Sequence, residues 1–169
     1  ATRRDTIELY GFRPEQVTTV LSGIDVAKFE APIDAAAVRA SVGAVPDDRL
    51  LCFVARIYPE KAHTHLLKAM VPVVARHPNV KLLVIGDGPL RGALEQEARE
   101  LGIGPNVVFT GKRKDVPSLL RVCEFMVHPT LAEGIPLAVY EGMAAGLALA
   151  PVLLDDRQRV GGGLVVGQL

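Results

Sequence analysis

The sequence predicts an α/β fold with a doubly wound parallel sheet, and three observations carry that prediction. Apolar runs of strand length recur at residues 17–21, 50–55, 81–86, 107–110, 125–128 and 147–154. Between several of them the apolar residues fall at helical spacing instead. The runs are apolar throughout rather than alternating, which is the pattern of strands buried on both faces. Such strands belong to parallel sheets covered by helices on either side.

The elements follow in order. Val17 to Leu21 gives the first strand. Leu50-Leu51-Cys52-Phe53-Val54-Ala55 gives the second, and Leu66, Leu67, Met70, Val73 and Val74 then recur on one helical face. His77, before Pro78, reads as the end of that helix. The run ending at Gly86 opens into Gly86-Asp87-Gly88-Pro89, whose glycines permit close backbone approach and whose proline suits a first helical turn. A tight turn with no ligand explains that segment alone equally well. Leu90, Leu94, Ala98 and Leu101 form the next helical stripe, with Glu95, Glu97, Arg99 and Glu100 largely between them. Strands at 107–110 and 125–128 follow, the latter containing His128. A small-residue helix over Glu141-Gly142-Met143-Ala144-Ala145-Gly146 precedes the last strand.

Composition sets the bounds. The chain has 169 residues, 49% hydrophobic content and a formal net charge of +0, enough for one sizeable core and without an electrostatic bias toward nucleic acid or membrane. Aromatic content of 5% is too low for a base-stacking platform, so no nucleic-acid partner is expected. No apolar stretch approaches the roughly 20 residues of a membrane span. The first residues lack the apolar core of a signal peptide, so a cytoplasmic location is expected. Cys52 and Cys123 sit among apolar residues and read as reduced core thiols.

Ligands of parallel sheets bind at the carboxyl ends of the strands, and that is where the chemistry-bearing residues of this chain fall. Arg56 and Lys61 follow the second strand, Gly86 the third, and Arg113 the fourth. Glu133 and Glu141 lie eight residues apart, a little over two helical turns, so the first sits at the mouth of a helix and the second within it. That helix, beginning near Pro136, presents unpaired backbone N–H groups and the positive end of its dipole; Gly134, Ile135 and Leu137 supply them, and Pro136 has none. Glu141 is flanked by Leu137, Ala138, Ala144 and Ala145, an environment in which an unpaired carboxylate is costly. Taken singly, Arg56 and Lys61 also fit ordinary surface charges with Glu60 as a partner. Lys112, Arg113 and Lys114 fit either a ligand contact or a solvated basic turn. His63 and His65 are two apart and point to different sides of a shared helix, against a metal pair. Asp155-Asp156 lacks neighbours to complete a ligand set and reads as a polar turn. No metal site is expected.

Four segments in a fixed order carry a family resemblance. Phe53-Val54-Ala55-Arg56-Ile57-Tyr58-Pro59-Glu60-Lys61, Leu82-Leu83-Val84-Ile85-Gly86-Asp87-Gly88-Pro89-Leu90, Val107-Val108-Phe109-Thr110-Gly111-Lys112-Arg113 and the Glu133 to Glu141 pair resemble the motifs of retaining glycosyltransferases of the GT-B fold with the E-x7-E motif (glycosyl transferases group 1, family 4). The resemblance runs from about Val17 to Gly146. It implies a Rossmann-like doubly wound sheet, one half of a GT-B fold, namely the half that binds the nucleotide sugar. Residues 1–16 are then an inter-domain crossing segment and residues 17–169 the nucleotide-sugar-binding domain. The resemblance further implies that Arg56 and Lys61 grip the donor diphosphate and that Glu133 contacts sugar hydroxyls near the reacting carbon. Glu141 would bond the ribose hydroxyls, and Arg113 and Gly86 would lie near the nucleotide. The implied function is transfer of a hexosyl group from a nucleotide diphosphate sugar, UDP-sugar favoured, to an acceptor. That acceptor would be bound by an N-terminal domain missing from this chain, through which peripheral membrane contact would also be made. The isolated chain is expected to be inactive in transfer, with no cofactor and no metal required.

Departures from the family pattern are local. Ala55 and Ala62 stand where glycine is usual, and Ser22 where asparagine is common. Alanine at either position is costly only if a positive φ is required. After Gly146 the pattern breaks, and the glycine run at 161–163 comes early, as if the domain were truncated at its C-terminal end or residues between about Leu154 and Gly161 were absent. A non-catalytic nucleotide-sugar-binding domain, or a purely structural Rossmann-like one, is the alternative; the former should have lost Arg56, Lys61 or Glu133, and the latter predicts no clustering of motifs at strand ends.

Overall fold

The computed structural model describes residues 3–20, 22–131 and 136–153. Its helices are α1 (Arg3–Tyr10), α2 (Ala35–Ala40), α3 (His63–Arg76), α4 (Arg91–Glu100), α5 (Val116–Arg121) and α6 (Leu137–Ala144). Its strands are β1 (Arg49–Val54), β2 (Val80–Ile85), β3 (Val107–Gly111), β4 (Phe125–Thr130) and β5 (Ala148–Leu153). All five strands are parallel, in the order β3-β2-β1-β4-β5. The chain therefore builds outward from β1 through β2 to β3, then crosses back to lay β4 and β5 on the other side. The reversal leaves a crevice between the carboxyl ends of β1 and β4, where open α/β sheets take their ligands.

The strand residues sort by parity, as a pleated sheet covered on both faces requires. Phe53, Leu82 and Val84 join Leu66, Leu67, Met70 and Leu94 of α3 and α4 in one core. Leu50, Cys52, Leu83 and Ile85 join Leu119, Leu120 and Met126 in the other. Each fully buried side chain of this size stabilises the fold by about 1.5–3 kcal/mol. Cys52 and Cys123 are both buried free thiols in the second core, as the sequence implied. Cys123 Sγ donates to Leu119 O at 3.2 Å.

Five of the six expected strands are present within a residue or two of their expected ends. The exception is the run at 17–21. Residues 17–20 are not in a strand, and Val20 is 85% exposed. A strand needs a neighbour to satisfy its backbone, and among the described residues 17–20 pair with neither edge of the sheet. Instead the Arg3 side chain of α1 holds the carbonyls of Val17 and Pro14, at 2.8 and 2.6 Å. Leu21 lies outside the described residues. Pro89 precedes α4 rather than sitting in its first turn: Arg91 opens the helix and donates its N–H to Gly88 O at 3.2 Å. The short helices α2 and α5 are too brief to show periodicity. Asp34 caps α2 by accepting from Ala37 N at 3.0 Å.

Candidate functional site

The loop between β1 and α3 is pinned from two sides. Ala55 N–H donates to Ile85 O at 3.1 Å and Ile57 N–H to Asp87 O at 3.0 Å, which extends the β1–β2 ladder beyond the strands. On the other side Glu60 O accepts from Leu131 N at 2.9 Å and from Thr130 Oγ1 at 3.3 Å, which ties the loop to the end of β4. Arg56 and Lys61 are thus carried across the carboxyl ends of β1 and β4. Arg56 has a side chain 71% exposed, its guanidinium 4.9 Å from the centre of the Tyr58 ring and 3.6 Å from the Glu60 carboxylate. Lys61 is half-buried at the end of a single 3-10 turn, Pro59–Lys61, its N–H donating to Tyr58 O at 3.1 Å.

The glycines of the next segment are required by this loop. Gly86 has φ 145°, and a Cβ there would lie 2.0 Å from Ala55 O; at Gly88 a Cβ would lie 2.3 Å from Ile57 O. The close approach read from the sequence is therefore an approach to the backbone of the Arg56 loop. Gly86 N–H also donates to Gly111 O at 3.0 Å, so this residue is wedged between the ends of β1 and β3. Of the two alanines standing for glycine, Ala55 avoids the left-handed region, whereas Ala62 occupies it, with φ 53° and ψ 33°. The cost of that conformation to a residue with a Cβ is about 1–2 kcal/mol.

Beneath the loop lies an aromatic stack. Phe53 meets the His63 ring at 4.7 Å between centroids and the His128 ring at 5.8 Å. His63 is 5% exposed, and among the described residues neither ring nitrogen has a hydrogen-bond partner. Burial pushes its imidazole down to about 4, so it is neutral at pH 7. His65 is exposed, so the two histidines do point to different sides of α3.

At the end of β3 the expected ligand contact Arg113 is hydrogen-bonded within the protein. Its Nε and Nη2 donate to the two carboxylate oxygens of Asp115 at 2.8 and 2.7 Å, and Nη2 also reaches Ser41 Oγ at 3.1 Å. The hydrogen bonds from Arg113 hold the Asp115 carboxyl below its ordinary range. Neighbouring Arg91 is likewise engaged, by Glu95 at 2.8 Å and Phe109 O at 3.0 Å.

Helix α6 begins at Leu137, as expected, directly after Pro136. It is less buried than its small residues imply: Leu137, Tyr140 and Met143 are 40%, 43% and 60% exposed, and only Gly142 is fully buried. At Gly142 a Cβ would lie 2.5 Å from Met126 Sδ and 2.9 Å from a methyl of Leu149, so α6 sits close on β4 and β5. Glu141 is half-buried, and no side-chain partner is found for it among the described residues. Desolvation raises its carboxyl above the ordinary value. Glu133, Gly134 and Ile135, and the Asp155-Asp156 pair, lie outside the described residues.

The site so built places a cation-bearing loop and the start of α6 after adjacent strands of the sheet, an arrangement suited to a polyanion. Tyr58 and His63 are the two residues to which sequence reasoning gave no part in the site. The aromatic two residues from Arg56 was a legible signal, whereas the burial of His63 was not.

Residues 34–152 match the family Glycosyl transferases group 1. The chain belongs to that family. It is 33% identical over 153 residues to the Putative glycosyltransferase EpsF of Bacillus subtilis, which covers 89% of this chain and 39% of that relative. To the D-inositol 3-phosphate glycosyltransferase 2 of Catenulispora acidiphila it is 37% identical over 183 residues, covering 96% of this chain and 42% of the relative. The chain thus spans about two fifths of the length of these relatives. Among solved structures, Anabaena Alr3699/HepE in complex with UDP-glucose superposes with a TM-score of 0.75 at 23% identity, over 95% of this chain and 45% of that one. WaaG, a glycosyltransferase involved in lipopolysaccharide biosynthesis, gives 0.73 at 23%, over 90% and 46%. The fold is therefore the Rossmann-like half of the GT-B architecture. Among the described residues no helix is long and apolar enough to cross a membrane.

Proposed function

We propose that this chain is the donor-binding domain of a retaining glycosyltransferase acting from the cytoplasm. It takes a nucleotide diphosphate sugar, UDP-sugar favoured, and the sugar passes to an acceptor held by a preceding domain. The observation that carries the reading is the position of Arg56 and Lys61 on a loop pinned between β2 and β4, across the crevice from which α6 departs. When the bond between the anomeric carbon and the diphosphate oxygen breaks, negative charge collects on the departing diphosphate. The Arg56 fork and the Lys61 ammonium meet that charge, aided by the N–H groups at the start of α6, Leu137 among them. The acceptor oxygen attacks the same face of the sugar that the diphosphate leaves, and its proton passes to the leaving group. Two side-chain cations and a helix N-terminus neutralise the diphosphate, so no metal is required. Glu133 contacts the sugar hydroxyls. Glu141, a half-buried carboxylate with no side-chain partner among the described residues, accepts from the ribose hydroxyls, and the desolvation it suffers is the reason it needs such donors. That HepE is described in complex with UDP-glucose supports the choice of donor.

Calorimetric titration of the chain with UDP, GDP, ADP and their glucose conjugates tests the reading, repeated on Glu141→Ala and on the Arg56→Ala, Lys61→Ala double variant. Binding of one nucleotide, lost in both variants, is expected. No binding by the folded chain would move the function to a structural Rossmann-like domain. Efficient glycosyl transfer by the chain alone would remove the need for a separate acceptor domain, and loss of binding on adding a chelator would contradict the metal-free site.

A further inference from the structure

The guanidinium of Arg56 differs from those of Arg39, Arg49, Arg91 and Arg113, each of which donates hydrogen bonds to the protein. Among the described residues Arg56 donates none; its approach to Glu60, at 3.6 Å, is too long for one. What it does have is the face of Tyr58, 4.9 Å from the ring centre. We infer that Tyr58 is the positioning residue for Arg56, its ring holding the guanidinium by a cation–π contact that leaves every N–H donor available to a diphosphate. The inference rests on the donor-site reading of Arg56 given above.

The ring is itself well placed to do this. Pro59 confines Tyr58 to extended backbone, observed at φ −128° and ψ 159°. Tyr58 N–H donates to Arg56 O at 3.0 Å and Tyr58 O accepts from Lys61 N at 3.1 Å, so both cation-bearing residues are tied to the residue that carries the ring. The side chain borders a hollow of about 240 Å³ with Ala62, His63, Leu90 and Leu94, and remains 38% exposed. A contact to the π face uses charge without consuming donors, whereas a carboxylate would consume them. Glu60, which lies near without bonding, is the counter-charge that the diphosphate displaces. Holding the fork in advance removes part of the ordering cost of binding.

The test is calorimetry of the whole chain with UDP, GDP and ADP, using the tightest of them, on Tyr58→Leu, Tyr58→Phe, Arg56→Ala and the Tyr58→Leu, Arg56→Ala pair, each checked for folding by circular dichroism. Tyr58→Leu is expected to weaken binding about threefold, the size of an exposed cation–π contact. Tyr58→Phe, which keeps the π face, is expected to retain the wild-type affinity. Arg56→Ala is expected to weaken binding about tenfold and to erase the effect of Tyr58→Leu. If Arg56→Ala weakens binding while Tyr58→Leu does not, or if Tyr58→Leu acts equally with and without Arg56, the positioning role is wrong and the donor site stands. If no nucleotide binds, or Arg56→Ala changes nothing, the donor-site reading fails and the role of Tyr58 goes with it.

Discussion

Arg56 and Arg113 stand at the carboxyl ends of two strands of one sheet, each in a loop that leads to a helix, yet the protein treats their charges in opposite ways. Arg113 is bound at both carboxylate oxygens of Asp115 and reaches Ser41 as well, which joins the β3 loop to the end of α2. Arg56 is 71% exposed, stacked on Tyr58 and within 3.6 Å of Glu60 without a hydrogen bond. A guanidinium whose donors are consumed by the protein works as a clamp; one whose donors are held open is available to a ligand, which is the role proposed for Arg56. Sequence position alone does not separate the two, because both arginines follow apolar strands.

The largest effect is expected where the two loops share support. Gly86 has Ala55 O on one side and bonds Gly111 O on the other. Gly86→Ala would put a Cβ 2.0 Å from Ala55 O at a φ of 145°. Strain and overpacking together should cost about 4 kcal/mol, a large part of the stability of a domain this size. Urea unfolding should show the loss, and a midpoint unchanged from wild type would mean that neither loop depends on the wedge.

Acid separates the loops next. His63, under the Arg56 loop, has its folded value lowered to about 4 from 6.5, so it is bound neutral. Its contribution is fully present above pH 6.5 and is lost as the pH falls toward 4, on the order of 3 kcal/mol over the window. Asp115, in the other loop, has a carboxyl held below its ordinary 3.8 by Arg113, so its contribution is present above that value and is lost only as the pH falls below it. His63→Leu should therefore flatten the upper part of the stability profile and Asp115→Asn the lower part. A single slope common to both variants would erase the distinction.

The two arginines themselves give a smaller, crossed effect. Arg113→Ala should cost about 1 kcal/mol of stability and little nucleotide affinity, as expected for a partly exposed bidentate pair. Arg56→Ala should do the reverse, leaving stability within about 0.5 kcal/mol and lowering nucleotide affinity about tenfold. Thermal melts and titrations on the same two variants decide it. Equal loss of affinity in both would return Arg113 to the binding site.

How much of this was legible in the sequence varied with the kind of interaction. β1 through β5 were readable because a strand buried on both faces is apolar at most of its positions, and Leu50, Cys52 and Phe53 at 0% exposure are its outcome. The run at 17–21, Val17-Thr18-Thr19-Val20-Leu21, favours strand as well, but residues 17–20 find no strand neighbour among the described residues, and pairing is a tertiary fact that composition does not carry. The strand-end positions of Arg56, Lys61, Gly86 and Arg113 followed from the topology of parallel sheets. Whether each charge was spent on the protein did not, since Ser41 and Arg113 are 72 residues apart. The Gly86-Asp87-Gly88 segment was rightly read as a place of close approach, but the approaching partner, the backbone of residues 55–57, depends on how two loops meet.

Ala62 offers the smallest and cleanest way to sharpen the contrast. It closes the loop that carries Arg56 and Lys61, it is buried, and it is the one non-glycine residue in the left-handed region among the described residues. Its Cβ clashes with its own backbone there, a cost of about 1–2 kcal/mol that glycine would avoid. Glycine, however, gains freedom in the unfolded chain and loses the buried methyl, which together offset part of the relief. Ala62→Gly should therefore raise stability by about 1 kcal/mol or slightly less, seen as a shift of the urea midpoint at unchanged slope. The same substitution should leave the melting behaviour of an Arg113→Ala variant shifted by an equal amount, because Gly86 stands between the ends of β1 and β3 and changes that share no partner add. A destabilised Ala62→Gly chain would mean that the methyl's packing, and not the backbone, decides the conformation that opens α3.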